Sequence, residues 1–243
     1  MELSLPDPRI FVERLPARGE SFRISGGELR HARARRIAAG DPVRLFDGSG
    51  REAAARVLRL SATAVEAVVE EIFETAGGPE GELTLLTAGV RAERLSWIVE
   101  KATELGVARV VLLRTERTQS FRASEFLRGR LERVARAAAK QGGAGRWPPV
   151  EGPVPALEAL AEERAAHRLL LDPEGEPFPG SLAAGSAAMA VGPEGGWARA
   201  ELDAALRRGW TVSALPAGRL RAETAAVAGI VLLRAALARG QEK

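Results

Sequence analysis

Val191-Gly192-Pro193-Glu194-Gly195-Gly196-Trp197 joins an apolar run, residues 187–191, to a segment of helical spacing, residues 199–208. An apolar strand entering a tight turn that opens a helix is the unit from which α/β domains with a mostly parallel sheet are built. Three glycines let the backbone turn sharply and approach a ligand closely. Pro193 stiffens the turn, and Glu194 places a carboxylate in it. A ligand-free strand-to-helix connection would account for a generic glycine-rich loop. The full string is more specific than that.

The same rhythm continues on both sides. Residues 83–90 read as a strand and 91–105 as a helix, with Leu95, Ile98, Val99, Ala102 and Leu105 at helical spacing and Gly106 as the stop. Residues 107–113 are nearly continuous in apolar character, as strands of parallel sheets are. A helix is predicted over 124–141 and strands over 168–171 and 211–215. A closing helix is predicted over 222–238. Before Glu74-Thr75-Ala76-Gly77-Gly78-Pro79-Glu80-Gly81, a small, polar linker, the texture differs. Short strand-like pieces at 43–46, 56–60 and 65–69 alternate with turn formers at Gly26-Gly27, Gly40-Asp41-Pro42 and Asp47-Gly48-Ser49-Gly50, the pattern of a small β-barrel. The expected division is a barrel in residues 1–72 and an α/β domain in 73–243.

Composition narrows the chemistry. The 243 residues contain no cysteine, which excludes disulfides, thiolate catalysis and cysteine-held zinc. His31 and His167 are the only histidines, so a His-rich metal site is not expected. No apolar run reaches the roughly 18 residues of a membrane span. The first residues lack the layout of a signal peptide, so the chain reads as cytoplasmic. Lysine occurs only at 101, 140 and 243; arginine carries nearly all the positive charge. Residues 1–60 hold 12 arginines against 8 acids, a balance of +4, which leaves −1 for the rest of a chain whose net charge is +3. A basic N-terminal module is a plausible footprint for nucleic acid, although a coding bias toward arginine gives similar numbers.

Two further segments carry chemistry. Leu215-Pro216-Ala217-Gly218-Arg219-Leu220-Arg221-Ala222-Glu223-Thr224-Ala225-Ala226 again ends a strand and begins a helix. Helix capping accounts for Glu223 but not for the whole pattern. Glu100-Lys101-Ala102-Thr103-Glu104-Leu105-Gly106-Val107, continuing to Thr115-Glu116-Arg117-Thr118, is by itself a solvated helix face followed by a strand.

Taken in order, Lys-x-x-Glu-Leu-Gly-Val, Gly-Pro-Glu-Gly-Gly and Leu-Arg-x-Glu-Thr-Ala resemble the ribosomal RNA small subunit methyltransferase E family of the SPOUT superfamily. The likeness reaches the N-terminal part through Arg9-Ile10-Phe11, His31 to Arg36, Gly40-Asp41 and Leu45-Phe46-Asp47-Gly48. The sequence departs from the family's usual pattern at Pro216, Arg219, Lys140 and Ala144.

The resemblance implies an α/β fold with a trefoil knot in a mostly parallel sheet flanked by helices, preceded by a PUA-like β-barrel that binds RNA. It implies a homodimer that uses S-adenosylmethionine, without a metal, to methylate N3 of a uridine in small-subunit (16S) ribosomal RNA. Carried over residue by residue, the cofactor would meet Leu171, Gly192, Pro193, Glu194, Gly195, Gly196, Leu215, Leu220 and Thr224. Arg221 would stabilise the uracil oxygens, and Glu194 or Glu223 would manage the proton. Arg9, His31, Arg33, Arg35 and Arg36 would contact RNA.

The sequence admits other readings. Gly48-Ser49-Gly50-Arg51-Glu52-Ala53 fits the loose dinucleotide pattern G-x-G-x-x-A with Glu70 beyond it, though Asp-Gly-Ser-Gly between strand-like runs is better read as a hairpin turn. A SPOUT enzyme with another RNA target and a non-catalytic RNA-binding protein are the remaining alternatives.

Overall fold

A computed structural model describes residues 8–74, 82–118, 121–142 and 145–241. They fall into two compact units, one within Met1–Ala76 joined by Ala139–Arg146, the other within Gly77–Ala138 and Trp147–Lys243. The linker predicted at 74–81 lies almost entirely outside the described residues, as do Ala144 and the side chain of His31.

The first unit is built on β1 (Arg9–Phe11), β2 (Ser21–Ile24), α1 (Gly26–Ala34), β3 (Pro42–Phe46), β4 (Arg51–Leu60) and β5 (Val65–Glu74). Its sheet runs β1-β3-β4-β5-β2, antiparallel except for β1 beside β3. Asp47-Gly48-Ser49-Gly50 is the turn between β3 and β4. Asp47 organises it by accepting the Ser49 N–H at 2.9 Å and the Leu15 N–H at 3.1 Å. The hairpin reading therefore holds, and a dinucleotide fingerprint is overturned, because no helix follows Gly50. The core gathers Ile10, Leu45, Val57 and Val65. Lys140, where the family pattern has an acid, is held against this unit. Its Nζ lies 3.1 Å from Glu28 and 3.8 Å from the centre of the Phe11 ring.

The second unit contains β6 (Leu83–Ala88), α2 (Ala92–Glu104), β7 (Arg109–Arg114), α3 (Glu125–Gly142), β8 (Val150–Pro155), α4 (Ala156–Glu162), β9 (His167–Pro177), β10 (Ala187–Val191), α5 (Arg199–Arg207), β11 (Thr211–Ala214) and α6 (Ala222–Gln241). The last turn of α3 belongs to the first unit. All five pairings of the sheet β11-β9-β10-β6-β7-β8 are parallel. A parallel sheet must be covered on both faces, and the alternation of side chains divides its strands accordingly. Leu85, Leu112, Leu169 and Met189 pack on one side with α2, α3 and α6. Leu86, Val111, Leu170 and Ala190 pack on the other with α4, α5, Trp197 and Trp210. Helix α6 lies so close to the sheet that a Cβ on Gly229 would meet Met189 Sδ at 2.5 Å. The Arg234 side chain donates to the carbonyls of Leu105 and Gly106, at 2.6 and 2.7 Å, and so closes the end of α2.

Strand β9 is longer than the predicted 168–171. It pairs with β11 through Leu169 and Leu170, bulges outward over residues 171–175, and pairs again through Glu176 and Pro177. Gly175 permits the return, since a Cβ there would lie 2.7 Å from backbone atoms of Val212 and Ser213. No described helix is long and apolar enough to cross a membrane.

Candidate active site

With every strand of the second sheet parallel, the strands end along one edge. Ligands of such sheets bind outside the carboxyl ends, where the strand order reverses. Here β6, β7 and β8 proceed in one direction, while β10, β9 and β11 lie on the other side of β6. A cavity of about 600 Å³ opens at the ends of β9, β10 and β11, within the range of small-molecule sites.

Three backbone segments form it: the β9 bulge with Leu171, the turn from Gly192 to Gly196, and the approach to α6 with Leu215, Leu220 and Arg221. The middle turn is closed by a Gly196 N–H to Pro193 carbonyl bond of 2.8 Å, and Gly196 has a φ of 75°. Trp197 fastens two of the segments together. Its buried indole Nε1 donates to the Leu171 carbonyl at 3.0 Å. It also lies against Gly192, where a Cβ would come within 2.9 Å of Nε1. Ser213 lines the cavity with a buried hydroxyl that has no hydrogen-bond partner among the described residues.

Of the residues expected to meet a cofactor, Leu171, Gly192, Pro193, Glu194, Gly195, Gly196, Leu215 and Leu220 line this cavity, and so does Arg221. Thr224 and Glu223 do not. Both belong to the first turn of α6, where Thr224 faces solvent and Glu223 is directed at Arg94 of α2.

Arg94 was not legible as a site residue. It pairs with Glu194 and lies 3.6 Å from Glu223, so one guanidinium joins the turn after β10 to the start of α6. Nothing local in the sequence marks an ion pair whose partners are about a hundred residues apart. In the sequence Arg117 stands out only as part of the run that follows a strand. Its guanidinium donates to the Gly195 carbonyl, and its stem lies 3.3 Å from where a Gly195 Cβ would sit. Asp172 and Glu174 in the bulge complete the charged lining together with Arg219. By contrast, Lys101 forms a surface cluster with Glu100 at 2.7 Å and Glu104 at 2.8 Å. Those two carboxylates hold its ammonium above the ordinary lysine value, which agrees with a solvated helix face.

In the first unit, the Arg9 guanidinium pairs with the buried carboxylate of Glu52 and stands 5.4 Å from the centre of the Phe46 ring. Arg33 donates to the carbonyls of Ser61 at 3.0 Å and Ala62 at 2.7 Å. Arg35 and Arg36 are exposed just beyond α1, with Arg36 in the left-handed region at a φ of 55°.

Comparison with known proteins gives a consistent result. The profile of an RNA methyltransferase domain matches residues 78–234, and that of an RNA methyltransferase PUA domain matches residues 24–70. A ribosomal RNA small subunit methyltransferase E from Mycobacterium bovis is 31% identical over 233 residues, covering 90% of this chain and 88% of its own. The protein of that name from Aquifex aeolicus is 28% identical, with 89% and 95% covered. The crystal structure of the same-named enzyme from Neisseria gonorrhoeae, bound to S-adenosyl methionine, superposes with a TM-score of 0.78 at 25% identity, covering 94% of this chain and 97% of that one. The ordered motifs, the all-parallel sheet and these matches agree: the chain belongs to the ribosomal RNA small subunit methyltransferase E family.

Proposed function

We propose that the chain transfers a methyl group from S-adenosylmethionine to N3 of a uridine in small-subunit (16S) ribosomal RNA. The observation that carries this reading is the convergence of three backbone segments at the carboxyl edge of one parallel sheet, two of them bearing the motifs the family shares. The residues present suit a nucleoside cofactor. Leu171, Leu215 and Leu220 offer apolar walls, Gly192 to Gly196 offer backbone groups, and the Ser213 hydroxyl is a buried polar group without a partner among the described residues.

The bound sulfonium supplies an electrophilic methyl carbon. Uridine N3 must shed its proton to attack it. Arg221, exposed at the cavity and with no side-chain partner among the described residues, stabilises the resulting anion through the uracil oxygens. Glu194 lines the cavity and is the better placed carboxylate to accept the proton; Glu223 is not part of the lining, and both are engaged by Arg94. Alignment of the reacting atoms supplies much of the acceleration.

Residues 1–72 act as the RNA-binding module and 73–243 as the catalytic domain. Arg33, Arg35 and Arg36 contact phosphates, while Arg9 supports that surface from within through Glu52; His31 joins the set on motif position. The enzyme works in the cytoplasm as a homodimer whose sheet is knotted near the cofactor.

Calorimetry with S-adenosylmethionine, followed by mass mapping of nucleosides in small-subunit RNA treated with the protein, tests the proposal. Micromolar binding and a single new N3-methyluridine are expected. No binding would leave a non-catalytic RNA-binding protein, and methylation of a ribose or another base would leave a related enzyme with a different target.

A further inference from the structure

A second depression lies on the face of the sheet covered by α4 and α5. Its wider part, about 490 Å³, is lined by Arg114, Glu116 and Arg122 at the ends of β7 and its following turn, and by Pro155 at the end of β8. A narrower part of about 320 Å³ continues between the two helices to Arg207 and Arg208. Leu157 and Ala200 line both parts, so they form one trough. Its floor is made of small side chains, Ala156, Ala161, Ala200 and Ala204, and Leu157 is 49% exposed beside them.

The trough begins at the same carboxyl edge as the cofactor cavity. The turn Glu116–Thr118 separates the two: Glu116 faces the trough and Arg117 faces the cavity. Buried Glu201 fixes that turn by accepting the Glu116 N–H at 2.8 Å. Arg114, Arg207 and Arg208 have no side-chain partner among the described residues. Attraction to a helix C-terminus explains cations at Arg207 and Arg208. It does not explain Arg114 at the other end, or the exposed leucine between them.

We propose that this trough holds a single-stranded stretch of the RNA substrate next to the target nucleotide. Phosphates meet the arginines at either end, and ribose or base faces lie on the apolar floor. The proposal rests on the methyltransferase reading above and adds an RNA path on the catalytic unit itself. Nucleic acid suits the chemistry: Arg114 at one end and Arg207 and Arg208 at the other give the positive groove that tracks a backbone in non-specific single-strand sites, and the alanine and leucine floor offers ribose and base faces an apolar surface in place of stacking aromatics.

The test is the triple variant R114Q/R207Q/R208Q in the full chain, assayed for methylation of small-subunit RNA, free and assembled into the subunit. Calorimetry with S-adenosylmethionine serves as the control for fold. Three phosphate contacts contribute roughly 2 to the slope of log affinity against log salt, or roughly fiftyfold in affinity near 0.15 M salt. An increase in KM for free RNA of about tenfold or more, with a salt slope shallower by about 2 and unchanged cofactor affinity, is expected. An unchanged KM and slope would overturn the proposal. So would a defect seen only on the assembled subunit, which would assign the trough to a ribosomal protein. Failure of the wild-type protein to bind cofactor or methylate RNA would instead count against the methyltransferase reading.

Discussion

Replacing Arg94 with methionine keeps the stem and removes a charge that joins the turn after β10 to the start of α6. Two unit charges 3.6 Å apart, the Arg94 to Glu223 separation, attract by about 4–5 kcal/mol at an effective dielectric constant near 20. Desolvation offsets much of this, and the Arg94 side chain is 26% exposed. A net loss of about 2 kcal/mol follows, worsened by leaving two carboxylates to face each other. Glu223 can do little to relieve it, because its Oε2 is already buried without a hydrogen-bond partner among the described residues. At about 2–4 °C per kcal/mol for a domain of this size, melting should fall by about 4–8 °C. If most of the loss falls on loop placement, the Kd for S-adenosylmethionine rises about tenfold or more. Calorimetry and thermal melting on the same preparations read both quantities. R94K should recover part of the affinity, and the double variant R94M/E223Q should recover much of the melting temperature by removing the uncompensated charge. An R94M protein with wild-type affinity and melting temperature would refute the reasoning, since the pairing would then hold nothing in place.

Arg221→Ala should lower methylation at saturating cofactor by about tenfold or more; near-normal turnover in a single-turnover assay would dismiss Arg221 from the reaction. Gly192→Ala should cost about 1–3 kcal/mol, because its Cβ would press on the Trp197 indole and disturb the bond to the Leu171 carbonyl; tryptophan fluorescence and melting report this, and an unchanged spectrum and stability would show that the indole moves freely. Burial alone would raise the Asp47 carboxyl, but hydrogen bonds from Ser49 and Leu15 together with the Arg51 charge outweigh it and hold the group below the ordinary aspartate value. Its contribution is therefore fully present above about pH 4, the unfolded value, and is lost as pH falls through the lower folded value. Asp47→Asn should destabilise the protein by about 1–2 kcal/mol near neutrality, with the gap to wild type closing below pH 4; a gap independent of pH would contradict that assignment.

The periodic parts of the second unit were readable because burial imposes a pattern. Residues 187–191 are buried throughout and form β10 as expected, and the apolar stripe predicted for 91–105 is the buried face of α2. Strand β8 escaped notice because Gly152, Pro153 and Pro155 disguise it; it is an edge strand, where proline is tolerated. Strands β1 and β2 and helix α1 are short and mixed in polarity, so they offered little periodicity. The two strand-to-helix motifs, at 191–197 and 215–226, account for most of the cavity lining. The order of strands, the β9 bulge and the Arg94 bridge are products of tertiary pairing, which no local window of sequence contains.

The excursion of β9 over residues 171–175 is stitched to β11 both before and after it. A wall anchored at both ends is held by the sheet itself, in contrast to the cavity lining between β11 and α6. There, Pro216 to Arg219 are solvent-facing bends between β11 and α6. A ligand seated between the two meets a jamb fixed by the sheet on one side and, on the other, an open, solvent-facing bend that begins at the unusual Pro216.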